Sequence, residues 1–210
     1  MKKLHKIIAA SLLASASTAG TGVVLAADAP LTANIAMNSN YIWRGKTQST
    51  DLSAISGGVD YAHASGAYVG LWQSSLSANT YEQDVYAGYS FDAGPVGLDI
   101  GYIAYQYPLA TAGNFSEVYV NASFNKFTAG VAIDSENKNT YLSVGAEFEV
   151  KKDLTLGVTF GSNDGDGTAN DYSHYQLSLS KNDFTLAYDQ NDDTGSKARL
   201  SVSWSKSFDL

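Results

Sequence analysis

Residues 154–161, LTLGVTFG, place Leu154, Leu156, Val158 and Phe160 on one face of an extended chain and Thr155, Gly157, Thr159 and Gly161 on the other. A two-residue period that sends every large apolar side chain to one side marks a strand with one apolar face. Alternation by itself leaves open whether that face meets a protein core or lipid, and the function depends on which.

The N-terminus fixes the compartment. MKKLHKIIAASLLASASTAGTGVVLAADAP carries Lys2, Lys3 and Lys6, then a small and apolar stretch, then Val24, Leu25 and Ala26, the arrangement of a secretory signal peptide. Cleavage is expected after Ala26, with Ala27 as the adjacent alternative, leaving residues 27–210 as one domain. Loss of three lysines leaves 10 basic against 21 acidic residues, which argues against a nucleic-acid partner. The chain has no cysteine, so disulfides, thiolate nucleophiles and cysteine-bound metals are excluded. Beyond the leader no apolar run approaches the ~20 residues of a membrane helix.

Alternation recurs along the chain. Leu142, Val144, Ala146, Phe148 and Val150 oppose Tyr141, Ser143, Gly145, Glu147 and Glu149, and Val118, Val120, Ala122 and Phe124 oppose Glu117, Tyr119, Asn121 and Ser123. The pattern predicts about twelve strands, at 31–45, 54–63, 67–75, 81–92, 96–107, 115–124, 127–135, 140–150, 154–162, 171–180, 184–190 and 198–208. Their connections alternate between longer polar ones (KTQSTDLS, LSANT, PLATAGN, ENKN, NDGDGTAN, NDDTGSK) and tight ones (ASG, AGP, NK, KKD, KND). Outer-membrane barrels segregate long outside loops from short periplasmic turns in this way, whereas a soluble sandwich has no reason to.

Many of these segments match the ~9–11 residues of a tilted membrane strand better than the ~5–6 usual in soluble sheets. Polar faces of Gly, Ser, Thr, Tyr and isolated carboxylates suit a wet lumen. Trp43, Trp72, Phe124, Phe148, Phe160, Phe184, Trp204 and Phe208 are candidates for interfacial girdles. The expected fold is therefore all-β: a closed, up-and-down antiparallel transmembrane β-barrel with its apolar faces on lipid. Hydrocarbon offers no partner for unpaired strand edges, so the last strand must pair with the first.

The segment NSNYIWRGKTQSTDLSAISGGVDYAHASGAYVGLW, residues 38–72, resembles the start of the TorF family of porins of Gram-negative bacteria, through Ser39, Tyr41, Arg44-Gly45, Gln48, Ala54, Gly57, Asp60-Tyr61, Gly66, Tyr68, Gly70 and Trp72. YEQDVYAGYSF adds the family-like spacing of Glu82, Asp84, Tyr86 and Gly88-Tyr89. Two features depart from the family: Ser53 stands where proline is common, and the chain ends SKSFDL instead of at a terminal aromatic. The second bears on how the barrel-assembly machinery would recognise the last strand. The resemblance implies an outer-membrane pore and no particular solute.

With the N-terminus in the periplasm, Arg44 falls near the outer end of the first strand and Arg199 at the outer start of the last, neighbours once the barrel closes. Parity points both inward, together with Glu82, Asp84, Glu117, Asp134 and Asp189 in the outer half. These seven residues are the candidate pore lining. They read either as a charged constriction that selects small polar or charged solutes, or as wall charges that neutralise one another, Asp189 with Arg199 for instance. Inward Tyr86, Tyr119, Tyr141 and Glu147 would narrow the bore further.

No catalytic constellation is expected: only His63 and His174 survive processing, the first beside a tight turn and the second a rim residue near Asp171 and Ser173. NDGDGTAND supplies Asp164, Asp166 and Asp171 but lacks the Gly and Glu of the calcium-loop pattern. Neither cofactor nor metal is expected. The partners are outer-membrane lipids and small solutes, in a pore of the bacterial outer membrane; the alternative is a non-conducting structural or surface-binding barrel.

Overall fold

The structure, a computed structural model, describes residues 31–77, 80–110, 113–166 and 171–210. The expected signal peptide lies outside the described residues, as do residues 167–170 of the acidic loop. The strands are β1 (Leu31–Asn38), β2 (Ile42–Trp43), β3 (Lys46–Thr47), β4 (Ala54–Ala62), β5 (Ala67–Ser75), β6 (Tyr81–Ala93), β7 (Val96–Gln106), β8 (Phe115–Phe124), β9 (Phe127–Asp134), β10 (Asn139–Lys151), β11 (Leu154–Asp164), β12 (Tyr172–Lys181), β13 (Phe184–Asn191) and β14 (Arg199–Asp209). All except β2 and β3 form one closed barrel of twelve antiparallel strands, each paired with its neighbours in sequence, and β1 closes the circle against β14. In that seam Met37 lies opposite Trp204, and the Leu210 amide donates to the Leu31 carbonyl at 3.0 Å.

Alternation sets which side faces out. Val158 and Phe160 are 38% and 50% exposed on the outer surface, whereas Gly157 and Gly161 are buried on the inner one. Leu142, Val144, Val118, Val120, Leu177 and Leu186 repeat this pattern around the circumference. An exposed apolar belt on a sheet without free edges is what hydrocarbon contact demands.

Tight turns gather at one end. Asn125, Asp153, Asn182 and Gly94 sit in two-residue connections with φ of 55°, 59°, 53° and 64°, left-handed conformations that Asn, Asp and Gly tolerate best. The longer connections gather at the opposite end, the one expected from the sequence to face outward.

Inside, tyrosine and glycine are matched. Tyr68 lies opposite Gly88, Tyr86 opposite Gly70 and Tyr119 opposite Gly101, and each phenol ring occupies the space that a Cβ on the facing glycine would need. Eight of the chain's fourteen tyrosines need not be explained by lipid at all: Tyr41, Tyr68, Tyr86, Tyr105, Tyr107, Tyr119, Tyr141 and Tyr172 lie inside.

The first expected strand needs correction. It ends at Asn38 instead of continuing to residue 45, and residues 39–53 turn into the barrel as the short β2–β3 hairpin. Trp43 therefore leaves the expected lipid girdle and packs on Tyr105 and Phe115 inside. Trp72 also faces inward, edge-on to Tyr41, while Phe124, Phe160, Phe184 and Phe208 are exposed on the outside.

A lysine at Val158, on the outer face near the middle of β11, is expected to cost about 2–4 kcal/mol, whereas Thr159→Lys on the lumen side should cost much less. Urea unfolding of the two variants in lipid vesicles checks this; equal losses would contradict the assignment of faces.

Candidate functional site: a hairpin across the lumen

The hairpin is built by its own sequence. Ile42 pairs with Thr47 and Trp43 with Lys46, and the Gln48 amide donates to the Tyr41 carbonyl at 2.7 Å. The two residues between the strands, Arg44 and Gly45, have φ of 49° and 76°, so both occupy the left-handed region that the tightest hairpin turns require. Glycine at 45 serves a second purpose, because a Cβ there would come within 2.6 Å of the His174 Cβ. At the base, Thr47 Oγ1 donates to Asn40 Oδ1 at 2.7 Å and the Tyr41 amide to Ser49 Oγ at 2.9 Å.

Arg44, at the tip, is 2% exposed and reaches Glu117 on β8, which is 1% exposed. The pair is bidentate, Nη1 to Oε1 at 2.7 Å and Nη2 to Oε2 at 2.8 Å, and the Tyr105 hydroxyl donates to the same carboxylate at 3.1 Å. The guanidinium lies 3.9 Å from the Tyr141 ring centroid and 4.2 Å from that of Trp43. Planar hydrogen bonding in one direction and aromatic faces in others are what arginine provides and lysine does not. Elsewhere Tyr41 donates its hydroxyl to Glu82 Oε1 on β6 at 3.1 Å, and Asn191 Nδ2 on β13 donates to the Gly45 carbonyl at 2.6 Å. Lys46 pairs with Asp193 at 2.7 Å and lies over the Tyr172 ring.

The seven candidate residues separate into distinct environments. Arg44, Glu117 and Glu82 converge on the hairpin. Asp84 is buried beside them on the same face of β6, with Oδ1 bonded to no group among the described residues. Asp189 is also buried and accepts from Gln176 Nε2 at 2.8 Å. Asp134 instead holds its own turn, accepting from the Glu136 and Asn137 amides at 3.0 and 3.1 Å. Arg199 lies opposite Asp189 in register, yet its Nε donates to Asp51 at 2.6 Å, so neither the seam of two neighbouring arginines nor an Asp189–Arg199 pair forms. Asp51 also meets Lys197 at 3.0 Å and Asn40 at 2.9 Å. Hydrogen bonds from Arg199 and Lys197 hold this loop carboxyl down at about 2, below its ordinary value. The resulting stabilisation is present above the ordinary carboxylate range and is lost as pH falls through about 2.

A second layer sits nearer the inner end. Asp99 accepts from Tyr68 at 2.7 Å, Ser90 at 3.1 Å and Asn121 at 3.3 Å; Tyr68 also bonds Tyr119, and Tyr86 bonds Asp60. Parity could have found Asp60 and Asp99, which share faces with Ser56 and Gly101. Bulky side chains thus fill the β5–β8 side of the bore. The opposite wall carries small ones: Ser143 and Gly145, Gly157 and Thr159, Ser178 and Ser180, Thr185 and Ala187, Ser201 and Ser203.

Arg44→Ala strands a buried carboxylate and is expected to lower unfolding free energy by about 3–5 kcal/mol. Removing both charges, in Arg44→Ala with Glu117→Ala, should cost less than the single change. Chemical unfolding across this double-mutant cycle measures the coupling.

Solved porin barrels are among the structures that resemble this one. The KdgM porin, one structure of which is described as a complex with disordered oligogalacturonate, aligns with TM-score 0.53 and 11% identity over 83% of this chain and 97% of that one. The NanC porin aligns with TM-score 0.53 and 13% identity over 86% and 100%. A structure titled for the mechanism of in-meso crystallisation of membrane proteins aligns with TM-score 0.57 and 12% identity over 86% and 84%. At these identities the likeness is one of fold: a porin-like transmembrane β-barrel. No curated protein matches the sequence. Residues 25–194 match the model of the family described as bacterial protein of unknown function (Gcw_chp), and the chain belongs to that family.

Proposed function

We propose that the protein is an outer-membrane porin that passes small hydrophilic solutes passively through a narrow, charged lumen. The observation that carries this reading is the interior itself: apart from an aromatic cluster around the hairpin, hydroxyls, glycines and carboxylates line a closed barrel whose aliphatic strand residues mostly point out. A barrel that only needed to stand in a membrane could fill its centre with apolar groups and avoid buried charge. Twelve strands also give a bore between the eight-stranded barrels that side chains fill and the sixteen-stranded porins that hold an aqueous channel. Porin-like folds among solved structures support the same reading, as does the sequence resemblance to TorF-family porins. An outer-membrane location, insertion by the barrel-assembly machinery and a cleaved leader over residues 1–26 belong to it.

In this reading Glu82, Asp84, Glu117, Asp134 and Asp189, against Arg44 and Arg199, make the outer half of the lumen net negative. Such a wall draws cations and neutral polar solutes and repels anions. No catalytic chemistry is assigned to it. A second reading, a non-conducting surface barrel, is favoured by one observation, the hairpin that Arg44 pins across the bore.

Planar-bilayer recordings of the purified protein separate the two: discrete current steps are expected, and persistent silence would leave the non-conducting barrel. Under a salt gradient the reversal potential should report cation preference, and Glu82→Gln with Asp84→Asn should move it toward zero. An unchanged reversal potential would contradict a lumen whose selectivity resides in these carboxylates.

A further inference from the structure

We propose that the hairpin of residues 41–48 is a displaceable plug, latched by Arg44 on Glu117, and that solutes cross when it swings toward the outer mouth. This rests on the porin reading and adds the step that opens the pore.

Reach is the first support. From one short segment, contacts extend to Glu82 on β6, Glu117 on β8, Tyr141 on β10, His174 beside Gly45 on β12 and Asn191 on β13. A segment that touches five strands spread over much of a twelve-stranded circumference spans the bore instead of lying along one wall.

Independence from the sheet is the second. The hairpin's strands pair with each other, and the twelve-stranded ladder closes without them. Moving the hairpin therefore breaks side-chain contacts and the Asn191 bond to the Gly45 carbonyl, but no rung of the barrel. Both stems are fastened at the outer rim. The Ser39 amide donates to the Val202 carbonyl at 2.9 Å, the Val202 amide to Ser39 Oγ at 2.8 Å, and Asp51 is clamped by Arg199 and Lys197. Thr50 and Asp51, at the second stem, have φ of 55° and 60°. Anchored stems and a self-contained tip are the parts of a hinged element with two resting positions.

The latch is chemically suited to release. Arg44 and Glu117 satisfy each other while water is excluded, and both regain full solvation once the bore fills, so the closed and open positions each leave the charges with partners. Arg44 Nε has no hydrogen-bond partner among the described residues even in the closed position, so the ion pair with Glu117 uses only one edge of the guanidinium.

Two measurements on the whole protein test the plug. In the first, residues 41–48 are replaced by two glycines, a short closure because the two stems run side by side: the Gln48 amide donates to the Tyr41 carbonyl at 2.7 Å and the Ser49 hydroxyl to Asn40 Oδ1 at 3.1 Å. Single-channel conductance should rise several-fold, with fewer closures than in the intact protein. The second needs no deletion. Ile42 is 0% exposed and the chain has no cysteine, so Ile42→Cys is a unique reporter. Its labelling by a charged, membrane-impermeant thiol reagent should be slow and should accelerate several-fold when Glu117→Gln weakens the latch, in step with open probability. Equal conductance with and without the hairpin, or a conducting Ile42→Cys barrel whose introduced thiol never reacts, would overturn the plug and leave the porin reading standing. Silence from both the intact protein and a folded deletion variant would remove the porin reading itself.

Discussion

Hydrocarbon cannot satisfy a backbone amide or carbonyl, and that single constraint organises the molecule. A sheet placed in it must have no edge, so β1 is obliged to pair with β14 although 160 residues separate the end of one from the start of the other. Closure then divides every strand into an outer and an inner face. Leucine, valine and phenylalanine are free to be exposed outside only because the solvent there is lipid, and the carboxylates and most other polar side chains of the alternating series point inward, with exceptions such as Gln73 and Gln83.

The inner face consequently gathers more polar groups than a narrow cylinder can solvate, and the structure disposes of them in two ways. Toward the inner end, phenol rings lie over glycines of the neighbouring strands and their hydroxyls donate to Asp60 and Asp99. Toward the outer end the chain folds back on itself and delivers an arginine to carboxylates that would otherwise be buried without a counter-charge. The Arg44–Glu117 pair is thus a product of closure: removing water from the outer lumen makes a cation necessary, and the hairpin supplies it. The asymmetry between the bulky β5–β8 wall and the small-residue wall opposite leaves the latter as the natural side for a passage.

The strands were legible because a period of two needs only local information; β5 and β8 begin and end where alternation places them, at residues 67–75 and 115–124. Residues 39–53 were not. Tyr41 and Trp43 keep the alternation of a lipid-facing strand, yet a run from 31 to 45 is longer than the ~9–11 residues a tilted membrane strand requires. That excess, and a charged residue followed by glycine inside it, were the available signals for a turn. Burial of Glu82, Asp84, Glu117, Asp134 and Asp189 could be read from parity, because parity decides the face; Arg44 is buried by the hairpin turn instead. Partners could not: Arg199 lies beside Asp189 in register but bonds Asp51, a choice made by a loop whose path depends on the hairpin. Trp72 shares its face with Gly70 and Ser74, so its inward position was readable, and aromatic identity alone was a poor guide.

The account places Trp204 on lipid and Trp43 and Trp72 inside the bore, and the chain has only these three tryptophans. Fluorescence of single-tryptophan variants in bilayers of brominated lipid tests that division directly. Strong quenching of Trp204 with little quenching of Trp43 and Trp72 is the predicted result. Quenching of Trp43 as strong as that of Trp204 would put the 39–53 segment on the outside of the barrel and contradict the account.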